Sequence, residues 1–201
     1  EPKDMEPLVP NSAPNYSSAK EHEDAIEETF IEEELLGMVQ GPYQPSEAAQ
    51  ACGCTTEELC VGALAGIDEG DKIRTIFDAT ITQVNEWIRK NMNKKCTAPG
   101  LHDLLWARLR ALETARQPKK LTLFKADARK AHRRIKVLQK DWKFMVAEIR
   151  DRMWINKCGT YGVASAQWYW GRMAALLIRL CYQLHEAFLW ILVFVDDFML
   201  L

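Results

Sequence analysis

A chain of 201 residues is long enough for a domain with a substantial core. Its 26 Lys+Arg against 28 Asp+Glu leave a net charge of -2, which by itself marks neither a nucleic-acid binder nor an acidic solvating protein. That average hides a polarity, because residues 1–50 carry 12 acidic and 2 basic side chains whereas residues 71–160 carry 22 basic and 9 acidic ones. Such an asymmetry is the pattern of an acidic tail beside a polyanion-binding region.

In chain order, "EPKDMEPLVPNSAPNYSSAKEHEDAIEETF" mixes Pro, Ser, Asn and acid with few apolar residues. Residues 1–50 are therefore expected to form a disordered acidic region, with at most a short helix over 25–39. Residues 51–70 are poorly patterned and read as a linker or short helical segment, with a capping box at Thr55-Thr56-Glu57-Glu58. The cysteines Cys52, Cys54, Cys60, Cys96, Cys158 and Cys181 are scattered with no secretory signal ahead of them, which argues for a reducing compartment over a disulfide framework. The first three have no second pair or His pair at zinc spacing.

Order is expected from Lys72 onward. "KIRTIF" alternates charged and apolar residues as a half-buried strand does. Pro99-Gly100 precedes "LHDLLWARLRALETAR", whose Leu101, Leu104, Leu105, Leu109 and Leu112 fall at helical spacing. "LTLFKAD" is a β-prone run ending on Asp127, followed at once by the basic "ARKAHRRIK". "KFMVAEI" and "RMWINK" form a strand pair about Arg150-Asp151-Arg152, "GTYGVAS" a glycine turn, and "SAQWYWGRMAALLIRLCYQLH" a long helix. The apolar stretch 174–195 is interrupted by Arg179, His185 and Glu186, which excludes a transmembrane reading. A closing "FLWILVFV" strand delivers Asp196 and Asp197 into a hairpin, and the layout is α+β.

Carboxylates at the ends of neighbouring strands can converge although 69 residues separate Asp127 from Asp196. Oxygen-rich side chains so placed suit hard cations such as Mg²⁺. Two such ions about 3.5–4 Å apart can clamp the attacking and leaving oxygens of a phosphoryl transfer. The metal would offset the cost of clustering the acids.

In this order, "LFKADARKAHRRI", "GTYGVASAQWYW" and "FVDD" resemble the palm motifs of reverse transcriptases from retroelements and retroviruses, and "KIRTIFDAT" resembles their fingers strand. The resemblance covers about residues 71–201 and implies a polymerase palm, an antiparallel sheet backed by helices, with partial fingers. It implies two Mg²⁺ (or Mn²⁺) ions held by Asp127, Asp196, Asp197 and the Ala128 carbonyl. Lys72 and Arg74 would lie on the incoming triphosphate, Ala131 and His132 under its sugar, and Tyr161-Gly162 against the nascent base pair. The implied partners are an RNA/DNA template-primer and deoxynucleoside triphosphates. The thumb, primer grip and ribonuclease H regions of the family are expected to lie outside this chain, which ends soon after FVDD.

Two positions depart from the family: His132 stands where a Tyr or Phe is usual, and Ala166 where a proline is usual. The first leaves the sugar preference open, so a palm-type RNA-dependent RNA polymerase is one alternative. A catalytically silent nucleic-acid-binding remnant is another. Each residue also has a plainer role: Asp127 as a helix cap, Asp196-Asp197 as a turn tip, Lys72 and Arg74 as a solvated face, His132 as a packed ring. Trp168, Tyr169 and Trp170 read as core rather than a stacking platform.

Overall fold

The computed structural model describes residues 8–92, 97–114, 123–184 and 190–200, so Cys96, His185 and Glu186 lie outside the described residues. The elements are α1 (Ser17–Glu21), α2 (Glu23–Leu35), β1 (Val39–Tyr43), α3 (Pro45–Cys52), β2 (Val61–Asp68), β3 (Ile73–Asp78), α4 (Val84–Asn91), α5 (Leu101–Thr114), β4 (Phe124–Asp127), β5 (Val146–Ile149), β6 (Arg152–Asn156), α6 (Ala166–Leu184), β7 (Ile191–Phe194) and β8 (Asp197–Leu200). Short 3₁₀ segments lie at Thr56–Glu58, Ala131–Arg134 and Gln139–Phe144. The chain divides into two compact units, one of Glu1–Asn93 with His132–Ala166 and one of Lys94–Ala131 with Gln167–Leu201. This mixture of largely antiparallel sheets and helices agrees with the α+β expectation.

The first unit holds a five-stranded sheet in the order β1-β6-β5-β2-β3, in which only β2 and β5 run parallel. The 51–70 expectation needs correcting here. The capping box forms, with the Thr55 N–H donating to Glu58 at 3.0 Å, but the helix it starts is three residues long. The chain then enters β2, "VGALAGID", whose first four residues are all buried. A strand covered on both faces loses the polar alternation that reveals a strand, and its Gly and Ala have low strand preference. Gly62 is required by packing, because a Cβ there would meet the Phe77 ring at 2.4 Å.

The expectation of a disordered region over 1–50 is also overturned for the described residues from 8 onward. Helix α2 is acid-rich, but its Ile26, Phe30 and Glu33 fall at i, i+4 and i+7 and are all buried. Phe30 packs edge-to-face on Trp154 at 5.6 Å, and Ala19, Ile26, Met38 and Val39 complete the same core with Leu64 and Phe77. Two apolar anchors and one buried, ion-paired carboxylate order a helix that bulk composition marks as soluble tail.

Several acids of α2 have partners. Arg150 reaches Glu23, Asp24 and Glu27, and it sits in the two-residue turn between β5 and β6 where both Arg150 and Asp151 have positive φ, 50° and 59°. That geometry matches the twist of a tight hairpin but ordinarily favours Asn-Gly, so the ion pairs hold a tip that the local sequence does not prefer. Glu33, nearly fully buried, pairs with Arg133, whose other nitrogen donates to Asn156 Oδ1 at 2.7 Å. This ties α2 and β6 to the 3₁₀ turn after β4.

The second unit holds a three-stranded antiparallel sheet in the order β4-β8-β7. Trp170 and Ala174 of α6 pack with Ala131, Val193 and Phe198, so the helix backs the sheet. Helix α5 forms over the expected span, but its leucine stripe is not its buried face. Leu101, Leu105 and Leu109 are exposed, and Ala107 and Ala111 are buried instead. Trp168 and Tyr169 likewise stay outside the core that Trp170 enters. No helix among the described residues is long and apolar enough to cross a membrane.

Breaking a buried ion pair by removing one partner leaves the other charge uncompensated. Arg133→Met is therefore expected to lower the unfolding free energy by about 3–5 kcal/mol, read from urea denaturation. The double replacement Glu33→Met with Arg133→Met should recover much of that loss.

Candidate functional site

The two strands carrying the expected acids pair directly. Asp127, the last residue of β4, lies opposite Asp197, the first of β8. Phe194 and Asp197 close a two-residue turn formed by Val195 and Asp196. The turn is strained: Val195 has φ 58°, a conformation that costs a β-branched residue about 1–3 kcal/mol. Two bonds from outside hold it. Trp170 Nε1 donates to the Val195 carbonyl at 2.6 Å, and the Ala128 N–H donates to the Asp196 carbonyl at 2.9 Å. The residue after Asp127 and a tryptophan on α6 thus both fix the acidic tip.

Two carboxylates facing each other across a strand pair repel. Lys125, two residues before Asp127 and so on the same face of β4, answers this with its Nζ 3.0 Å from Asp197 Oδ2. Asp127 is exposed, and Asp196 and Asp197 are half-buried. The helix-cap role for Asp127 does not hold, because a turn and then a 3₁₀ segment follow it.

Carboxylate oxygens are the right donors for a hard divalent cation, and the register supplies a facing pair. The expected convergence of three is not reached in this arrangement: among the described residues, no group of three or more His, Cys, Asp and Glu side chains is gathered to hold a metal. Lys125 occupies Asp197 in its place. An ion pair this exposed is worth about 0–1 kcal/mol, so a divalent ion need displace little to claim that carboxylate.

The remaining predicted residues, except Ala131, belong to the first unit. Lys72 is exposed and just precedes β3, and Arg74 is exposed on β3 two residues on. Arg74 lies over the Tyr161 ring at 6.0 Å, and Tyr161 meets the His132 ring edge-on at 5.2 Å. Guanidinium, phenol and imidazole therefore form a row of contacts, with His132 buried, as its packing role anticipates. Ala131 is buried in the second unit against Trp170.

Gly162 has φ 95°, and a Cβ there would lie 1.9 Å from the Phe77 carbonyl oxygen, so only glycine allows this approach of the turn to β3. The Phe77 N–H also donates to the Tyr161 carbonyl at 3.3 Å.

Two residues of this site escaped the sequence reading. Asn85, buried on α4, donates through Nδ2 to the Gly162 carbonyl at 2.7 Å and accepts at Oδ1 from the Ala164 N–H at 2.7 Å. It braces both ends of the glycine turn, yet in "ITQVNEWI" it is one polar residue with no motif around it. Glu69 pairs with Arg74 at 2.7 Å and Lys72 at 3.5 Å, an arrangement that appears only once the hairpin folds.

The cysteine cluster favours the protonated thiol. Burial, with the neighbouring Cys54, pushes the Cys52 thiol up to about 12, and burial also raises Cys54 and Cys60. Lys143 nearby bonds Glu58 instead, at 2.9 Å, and its own value is raised by that bond.

No protein-family model and no curated protein matches this sequence. Among solved structures, the fold is similar to that in the crystal structure of prototype foamy virus protease-reverse transcriptase, with a TM-score of 0.58 and 11% identity over 96% of this chain. The chain spans 21% of the length of that protein's chain. At such identity the likeness is one of fold.

Gly162→Ala is expected to destabilise the first unit by about 1–3 kcal/mol through forced displacement of β3, measurable as a lowered denaturation midpoint. Iodoacetamide at pH 8 should leave Cys52 unmodified in the native protein and modify it readily in urea, because the thiolate is the reacting form; peptide mapping by mass spectrometry distinguishes the two.

Proposed function

We propose that this chain is the fingers and palm portion of a reverse transcriptase-like polymerase, extending a primer by nucleotidyl transfer from deoxynucleoside triphosphates on an RNA template. The observation that carries this reading is the β4–β8 register, which sets Asp127 against Asp197 beside a tip held at Asp196. The likeness of fold to the foamy virus protein supports it, as do the sequence motifs that fall on these same elements.

In this reading Asp127, Asp196, Asp197 and the Ala128 carbonyl hold two Mg²⁺ or Mn²⁺ ions, with Lys125 released from Asp197. Bound there, such ions neutralise the charge that develops on the attacking and leaving oxygens. The chain's own contribution is positioning. The pinned turn fixes the acids relative to one another, and Lys72 and Arg74 draw in the triphosphate, the guanidinium offering two parallel donors. Tyr161 and Gly162 give the base pair a flat aromatic on a turn that glycine lets pack closely on β3. The basic side chains over 71–160 hold phosphate backbones, an attraction that weakens with salt and carries little sequence preference.

A second reading, a silent nucleic-acid-binding remnant, is favoured by one observation: the Lys125–Asp197 pair stands where a three-carboxylate group would otherwise close. The two readings separate in a primer-extension assay with an RNA template, a DNA primer and Mg²⁺. Wild type should extend the primer, and Asp196→Asn should reduce the rate on the order of 100-fold or more, because losing a direct ligand outweighs the loss of an outer-shell one. Its template-primer affinity should be unchanged. If wild type binds template-primer with the expected salt dependence yet extends nothing, the silent reading replaces the first.

A further inference from the structure

We infer that Glu69 is a built-in stand-in for phosphate, which holds Lys72 and Arg74 in their binding arrangement and must leave before a triphosphate can take its place. The inference rests on the triphosphate role proposed above for those two cations. It starts from the turn between β2 and β3. Asp68 and Ile73 close the hairpin, the Gly70 N–H donates to Asp68 Oδ1 at 2.7 Å, and the Glu69 N–H donates to the Lys72 carbonyl at 3.0 Å. Those bonds fix the backbone from which the Glu69 side chain reaches.

Its two oxygens divide between two cations. Oε1 lies 2.7 Å from Arg74, and Oε2 lies 3.5 Å from Lys72. A carboxylate bridging a guanidinium and an ammonium presents the oxygens that a phosphate would present, in the same place. Without it, two like charges two residues apart, one just before β3 and one on it, would repel and spread. Glu69 therefore keeps the pair together, and it keeps Arg74 over Tyr161.

Being partly exposed, the pairs are weak enough to exchange. A triphosphate carries several charges against the single one of Glu69 and wins the competition. The carboxylate also excludes weaker anions, so it sets a threshold on what the two cations will bind. Glu69 acts through them and is a positioning residue.

The test is binding of inorganic tripolyphosphate to the full chain by calorimetry, without divalent ions, so that only the cationic pair is probed. Glu69→Gln should bind about three- to tenfold more tightly than wild type. Asp71→Asn, which makes the same charge change in the same loop, should stay within about twofold of wild type. The double variant Lys72→Ala, Arg74→Ala should lose binding.

In extension assays Glu69→Gln should lower KM for the deoxynucleoside triphosphate with kcat little changed, and Glu69→Asp should stay closer to wild type than Gln does. Equal gains from Glu69→Gln and Asp71→Asn would reduce the effect to bulk charge and overturn the inference, leaving the triphosphate site intact. Tripolyphosphate binding that is absent, or indifferent to the loss of Lys72 and Arg74, would overturn the triphosphate role itself and this inference with it.

Discussion

The pairing register of β8 is the constraint on which the acidic tip depends. Side chains alternate faces with a period of two, so a slip of one residue would send Asp197 and its neighbours to the opposite face of the sheet. A strand of four residues, three of them apolar, does not by itself guard strongly against such a slip. The guard comes from outside the strand: the Ala128 N–H is bonded to the Asp196 carbonyl, and Trp170 to that of Val195. With both carbonyls of the turn engaged, the register that faces Asp197 toward Asp127 is the one that leaves no buried donor wasted. The positive φ of Val195 is tolerated because those bonds are made only there.

The same logic recurs at the tip of the other hairpin. Arg150 and Asp151 occupy left-handed conformations without help from glycine, and the α2 carboxylates around Arg150 supply what the backbone lacks. Both turns are therefore specified by partners remote in sequence. In the first unit this links the acid-rich helix to the sheet through charge at the rim and through Glu33–Arg133–Asn156 inside. Four acids of α2, Glu23, Asp24, Glu27 and Glu33, thus find partners within the fold.

This explains what was legible in the sequence. Strand β3, the β5–β6 pair, the glycine turn and α6 were readable because alternation, helical spacing and glycine are local signals. The acidic strand ends were readable because three Asp residues stand out against apolar neighbours. Strand β2 was hidden by burial on both faces, and α2 by counting charges where the spacing of buried Ile26, Phe30 and Glu33 mattered. The leucines of α5 misled in the opposite direction: the stripe has the right period, but the buried contacts go to Ala107 and Ala111. Asn85 and Glu69 left no signal, since the importance of Asn85 lies in a bond to a carbonyl 77 residues away. Lys125 stood out only as part of the β-prone run "LTLFKAD", although its Nζ lies 3.0 Å from Asp197.

The division of the chain into two units has a consequence for how the protein must be made and handled. The chain passes from one unit to the other three times, near residues 93, 131 and 166. Each unit is thus assembled from two stretches separated by part of the other. During synthesis, β1 and β2 emerge long before their partners β6 and β5, and β4 waits some 70 residues for β8. Neither sheet closes locally, which places the chain among slow folders dominated by distant contacts. A single cut at a crossing would separate the two stretches of a unit, so each unit is the product of one uninterrupted polypeptide.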